Sequence, residues 1–311
     1  MSRHRFAGIA VPLALFLVAC QADTGGSPSA EESQAEESAA ETDATVDIPN
    51  VVCVGDATTY LDWLNGEFQG EDPDPIEEPA DTSGDLLETI QENGVLRIST
   101  DAVYAPQSFL EADGTFVGFD VDVGTEIAER LGVTAEFQHQ DWDIITAGSW
   151  QERWDISVGS MAITTPRKDV FSFTQPYYYT PAVLAVTEAS GITEPDQLPF
   201  ELPEGAEVTT RPTDANCAEE IGAGREEFAL WMSSETTVDE AIASGIPMVK
   251  LGEPLFAENL SVAIDKAGPE HAALLAEIDR IIGEMHEDGT LTALSEEWFE
   301  GEDLTQDPSG G

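Results

Sequence analysis

Along residues 83–187 the apolar positions switch repeatedly between a helical and an extended period. Leu86, Leu87 and Ile90 share one face of a helix that Gly94 is placed to end, and Val95, Leu96 and Ile98 open a strand over 95–100. A short strand follows over 116–119. Val123, Ile127 and Leu131 then recur every four residues, which predicts a helix over 121–131, and after Gly132 the run 133–137 returns to strand. A helical stretch over 144–150 leads into a strand over 154–158. Strand and helix in alternation predict an α/β fold with a largely parallel sheet covered on both sides.

Two further extended segments, 181–187 and 255–264, flank the stretch between them, as expected of a chain that leaves one lobe, builds a second and returns. Residues 84–186 together with 256–311 would form the first lobe, and 187–255 the second. That second stretch holds a helix over 214–223 and, four residues later, a strand over 228–232. It is short for a lobe, and one strand and one helix are expected to be missing. The closing segment carries Leu274, Ile278, Ile281, Ile282 and Met285 at helical spacing, then Leu291, Leu294, Trp298 and Phe299, all read as core-facing.

Before residue 83 the pattern changes character. Arg3 and Arg5 precede an apolar stretch over 6–19 that closes on Leu17, Val18, Ala19 and Cys20, the form of a bacterial lipoprotein signal. The stretch is shorter than the ~20 residues of a membrane span. Residues 1–19 are expected to be removed, leaving Cys20 as the lipidated first residue and the chain held at the membrane by its lipid alone. Residues 20–47, rich in Ala, Glu, Ser and Thr, read as a flexible acidic linker. Residues 48–83 are an amino-terminal extension. Val51, Val52, Tyr60, Leu61 and Trp63 could pack, while Asp72-Pro73-Asp74-Pro75 and Pro79 break any regular element. With Cys20 assigned to lipid, Cys53 and Cys217 remain, and outside the cytoplasm they are expected to form a disulfide between the extension and the second lobe.

Charge narrows the partners. The chain has 12 Lys and Arg against 62 Asp and Glu, a formal net charge of −50. Nucleic acid is excluded as a partner, because phosphates must be neutralised by cations. Such a surface suits a salty or alkaline habitat, where screening relieves self-repulsion. The four histidines lie at 4, 139, 271 and 286, with no pair at metal-ligand spacing, no Ser-His-Asp arrangement and no phosphate-cradling glycine loop. No cofactor or metal is expected. Against this acidic background Arg167 and Lys168 stand side by side, close to Phe171, Phe173 and Tyr177-Tyr178-Tyr179. A surface ion pair would account for Arg167 alone; a planar guanidinium near aromatic surface also suits a small carboxylate.

Several segments occur in a telling order: Asp101 to Phe109 with Tyr104 inside it, Gly118-Phe119-Asp120-Val121-Asp122, Asp141-Trp142-Asp143, Met161 to Arg167, and the tyrosine triplet. This series resembles the family 3 extracellular solute-binding proteins, the amino-acid receptors of ABC importers, over about 96–186 and again over 251–299. The resemblance implies a two-lobed type II periplasmic-binding-protein-like fold with two hinge crossovers and a ligand between the lobes. It implies that Arg167 pairs with a ligand carboxylate, that the chain around Ser160, Met161 and Ala162 adds hydrogen bonds, and that Tyr104 and Trp142 wall the ligand. Ala162 stands where the family often has a hydroxyl. Asp101 could accept from a cationic ligand. The second lobe departs from the family: its Gly-Thr-Thr turn is not found within 187–255, and the helix-capping Thr213 is the nearest substitute. The aspartates that commonly bind the ammonium are absent from 228–233, where Ser233 carries no charge, so Glu235 or Asp239 would have to supply it.

The expected function is an extracytoplasmic, lipid-anchored receptor of an ABC importer that binds an amino acid or related small carboxylate and meets a permease. It is not expected to be an enzyme. Two alternatives share the fold: a sensor or partner-binding protein that has lost transport, and an enzyme like the cyclohexadienyl dehydratases.

Overall fold

The computed structural model describes residues 49–55, 60, 71–77, 79, 83–202, 205–225 and 227–308. The signal, Cys20 and the linker lie outside them. In chain order the strands are β1 (Val51–Val54), β2 (Val95–Thr100), β3 (Val103–Tyr104), β4 (Ser108–Leu110), β5 (Phe116–Val117), β6 (Thr134–His139), β7 (Ile156–Ala162), β8 (Phe171–Phe173), β9 (Tyr178–Thr187), β10 (Glu207–Thr210), β11 (Leu230–Ser234) and β12 (Met248–Asp265). The helices are α1 (Leu86–Asn93), α2 (Phe119–Leu131), α3 (Trp142–Thr146), α4 (Thr165–Val170), α5 (Asp214–Gly222), α6 (Glu235–Ala243), α7 (Ala272–Glu287) and α8 (Thr290–Trp298).

One sheet runs in the order β10-β1-β11-β9-β12-β7-β2-β6, with β8 on β12. Its two ends, the halves of the sheet, carry different hydrophobic clusters. At one end β2 is flanked by parallel β6 and β7, and Leu96, Ile98, Phe119, Ile127, Ile156, Leu274 and Ile281 fill one core. At the other end β1 is flanked by parallel β10 and β11. The long strands β9 and β12 pair with each other and run through both halves, the two expected crossovers. The helix expected over 144–150 is only α3, because Gly148, Ser149, Gln151 and Glu152 all have positive φ and break it.

The extension and the second half need correction. Val51–Val54 is an interior strand of the second half, with Val52 opposite both Val208 and Leu230. Its alternation fits the place. Val52 and Val54 pack with Leu184, Leu230 and Met232 on one face of the sheet, while Cys53 packs with Trp231 and Met248 on the other. Cys53 is joined to Cys217 on α5 by a disulfide with Cα atoms 5.9 Å apart. The strand thought missing from the second half therefore comes from the amino-terminal extension. A third passage between the halves follows, since β1 lies in one and α1 in the other.

Candidate functional site

A small cavity, partly open to solvent, lies between the halves. The first half contributes Asp101, Tyr104, Trp142, Gly159, Ser160 and Ala162; the second contributes Thr213 and Asp214; β12 contributes Glu258 and Leu260, and the extension contributes Tyr60.

Each wall has a local cause. β2 ends at Thr100, and the Asp101 carboxylate then accepts from the Val103 amide at 3.0 Å, a turn that carries Tyr104 toward the opposite half. The Tyr104 hydroxyl meets Ser234 Oγ at 3.4 Å and receives a hydrogen bond from Thr237 Oγ1 at 3.2 Å. Nearby, Gln107 Nε2 donates to Thr236 Oγ1 at 2.7 Å, so the halves touch at this rim. Burial pushes the Tyr104 phenol well above its ordinary range, with the charges of Asp214 and Glu258 adding to it.

Ser160 has φ of +53°, unusual for a residue with a side chain, and a closed network holds it there. Its amide donates to Tyr177 Oη at 2.9 Å, its hydroxyl donates to Asp120 Oδ2 at 2.8 Å, and Tyr178 Oη donates to Ser160 Oγ at 2.7 Å. Tyr177 Oη in turn donates to Asp120 Oδ1 at 2.6 Å. Burial pushes the Asp120 carboxyl up to about 7; the bonds from Tyr177 and Ser160 oppose that rise and the charge of Asp101 adds to it.

Arg167 sits in the first turn of α4, which Thr164 caps by accepting from the Arg167 amide at 3.4 Å. Its side chain is buried, with Nη1 donating to the Ala162 carbonyl at 3.0 Å and the guanidinium 5.5 Å from the centre of the Trp142 ring. It thus touches two residues of the cavity wall from behind. Lys168 beside it turns outward to Glu71 and Asp74 of the extension at 2.7 and 3.7 Å.

On the far wall Thr213 caps α5 through a reciprocal pair with Asn216. The Asp214 carboxylate accepts from the Trp231 indole at 3.2 Å and from the Gly55 amide at 3.3 Å. A Cβ on Gly55 would come within 2.1 Å of the Asp214 backbone nitrogen, so only glycine lets the end of β1 approach the start of α5. Tyr60 Oη donates to Glu258 Oε2 at 3.4 Å.

Of the expected site residues, Asp101, Tyr104, Trp142, Ser160, Ala162 and Thr213 line the cavity and Arg167 backs it. Met161 is fully buried with Ile145, Trp150 and Phe171, and Ser233 is fully buried in β11. Glu235 and Asp239 lie on α6 and bind Lys250 at 2.7 and 2.9 Å, away from the cavity. Tyr60, Asp214 and Glu258 were not anticipated. Glu258 left one trace, a charge inside the apolar run 255–264. No cluster of metal-ligating side chains occurs among the described residues.

Residues 96–301 match the family model of the bacterial extracellular solute-binding proteins, family 3, and the chain belongs to that family. β1 falls outside the matched region. Similar proteins include the L-cystine-binding protein TcyJ of Escherichia coli, 27% identical over 239 residues that span 71% of this chain and 88% of that one. The lysine/arginine/ornithine-binding periplasmic protein of Escherichia coli is 25% identical, over 66% of this chain and 87% of that one. Among solved structures, an ancestral amino-acid-binding protein titled a precursor of cyclohexadienyl dehydratase superposes with a TM-score of 0.58 at 26% identity, covering 69% of this chain and 99% of that one.

Proposed function

We propose that the chain is the extracytoplasmic receptor of an ABC importer and binds an amino acid between the two halves of its sheet. The observation that carries this reading is the cavity itself, walled from both sides, with the Arg167 guanidinium fixed against Ala162 and Trp142 at its back. A ligand that touches both walls favours the closed arrangement by its differential affinity. Similar proteins are named for cystine, for lysine, arginine and ornithine, and in Haemophilus influenzae as a probable amino-acid ABC transporter-binding protein.

The sensor alternative drew on the altered second half; β1 supplies a strand to it, while the aspartates absent from 228–233 still favour that alternative. The dehydratase alternative needs an acid facing the ligand. Asp101, Asp214 and Glu258 line the cavity and are carboxyls of the kind such an acid requires, whereas Asp120, held near neutrality, is enclosed by Tyr177 and Ser160 and does not line it. A lipid at Cys20 belongs to the same reading and rests on the sequence of residues 1–20. It is tested by fatty-acid labelling of the expressed chain, which Cys20→Ala should abolish.

Calorimetry with the twenty amino acids tests the receptor reading. One or a few should bind, and Arg167→Lys, which keeps the charge but loses the planar fork, should weaken that binding by roughly 10- to 100-fold. Unchanged affinity would remove Arg167 from the site; no amino acid binding would overturn the reading.

A further inference from the structure

Among the described residues that line the cavity, Tyr60 alone comes from outside the region 96–301 that matches the family model. It reaches the wall from a fixed starting point. Just before it the chain leaves β1, where the Gly55 amide donates to Asp214 at 3.3 Å and the Cys53–Cys217 bridge ties the strand to α5. Beyond it the extension is held again: Asn259 Nδ2 donates to the Glu71 carbonyl at 3.2 Å, and Lys168 of α4 meets the Glu71 carboxylate at 2.7 Å. Tyr60 thus lies between two anchored stretches of the extension.

The ring itself has little freedom. It is 2% exposed and packs with Val52, Val54, Leu184 and Leu251 in the core of the second half. Its centre lies 6.1 Å from that of Phe256, and its hydroxyl donates to Glu258 at 3.4 Å. Both partners stand on β12, where that strand pairs with β9 at Ala182 and Thr180, so the ring bounds the cavity where the crossovers enter the second half. A core residue needs no cavity beside it, and this one forms part of a cavity wall.

The groups that hold a carboxylate and an ammonium meet features common to all amino acids, so they cannot choose among them. The room left for the side chain can. Discrimination by room is steep, since one methylene more or less changes binding by roughly 10- to 200-fold, and an aromatic ring locked by packing is a large and unyielding piece of wall.

Resting on the receptor reading, we propose that Tyr60 is a specificity-determining residue: the amino-terminal extension brings its ring into the ligand cavity, and the ring limits the bulk of the amino-acid side chain that the receptor accepts. The extension is then part of the binding site as well as of the sheet.

The test is calorimetry with the twenty amino acids on the full mature chain carrying Tyr60→Ala, Tyr60→Trp or Tyr60→Phe. Tyr60→Ala opens the wall, so the bulkiest amino acids should gain at least tenfold relative to the smallest. Tyr60→Trp narrows it and should move that ratio at least tenfold the other way, while Tyr60→Phe keeps the ring and should keep the order. A ratio within threefold of the wild type in Tyr60→Ala, or an equal loss for every ligand, would make Tyr60 a core residue only and overturn this inference with the receptor reading intact. Where the Ala and Trp variants fail to fold, the wild type decides. With its tyrosine rings labelled for NMR and the Tyr60 signal assigned by its absence from Tyr60→Phe, that signal should shift on saturation with the bound amino acid, and a signal that stays in place would overturn the inference. Binding of no amino acid by the wild type would overturn both.

Discussion

The two halves of the sheet do the same work with different kinds of chain. The half around β2 is built mainly from one stretch, in which β2 pairs with β6 and β7 of the same stretch, and the carboxyl-terminal helices α7 and α8 close its core. The half around β11 is assembled from pieces far apart. β1 arrives more than 150 residues before β10, slots between β10 and β11, and is bound to α5 through Cys53 and Cys217. A half made of local pairings can be read in chain order. A half completed by a distant strand reads as damaged until that strand is found, and its stability depends on keeping the strand in place.

The largest effect that would break this contrast is removal of residues 48–55. Buried Val52 and Val54 contribute roughly 1.5–3 kcal/mol each, and their loss leaves β10 and β11 without a partner between them. We expect the second half to lose amide-exchange protection over 207–234 while α2 keeps its own, and ligand binding to disappear. Equal protection in both halves would refute the division.

Next in size is the disulfide. Cys53→Ser with Cys217→Ser, or reduction of the native chain, should lower stability by about 2–5 kcal/mol, because the bridge closes a long loop. Differential scanning calorimetry checks it. The loss should fall on the second half, and one shared transition shifted as a whole would show the halves to be a single unit.

Asp120 probes the first half by pH. Its carboxyl is held at about 7 when folded against about 3.9 when unfolded, so the folded state keeps its proton longer. The stabilisation is complete below pH 4 and is lost as pH rises to 7. The stability of the wild type relative to Asp120→Asn should therefore fall between pH 4 and 7 and level off above it, as followed by urea titration. A pH-independent difference would mean the network does not hold the proton.

The smallest effect concerns Lys168, which ties the extension to the first half through half-exposed pairs with Glu71 and Asp74. Lys168→Ala should change stability by no more than about 1 kcal/mol at low salt and by nothing measurable in molar salt. A larger or salt-independent loss would make this contact a structural partner of β1 in joining the halves.

Much of this was legible in the sequence, and the exceptions have physical causes. α2 followed from Val123, Ile127 and Leu131, and the two crossovers from their extended apolar runs, because local periodicity reports which face of an element is buried. Val51–Val54 was legible as apolar but not as a strand of the second half, since no local pattern names a partner more than 150 residues away. Two expectations together pointed to it: a strand missing from 187–255 and a bridge from Cys53 to Cys217. In the site, Tyr104, Trp142 and Arg167 came from motifs. Asp214 was hidden behind the capping Thr213, and Glu258 among 62 acidic residues, where one more carboxylate carries no signal.

By itself the sequence determined the alternation of elements, the acidic surface and the family, because periodicity, composition and ordered motifs are properties of the chain. Only the tertiary structure decided that β1 completes the second half and that Asp101, Asp214 and Glu258 share one cavity with Arg167 behind it. Strand partners and the charge balance of a cavity depend on which distant residues meet in space, and that is set when the halves pack.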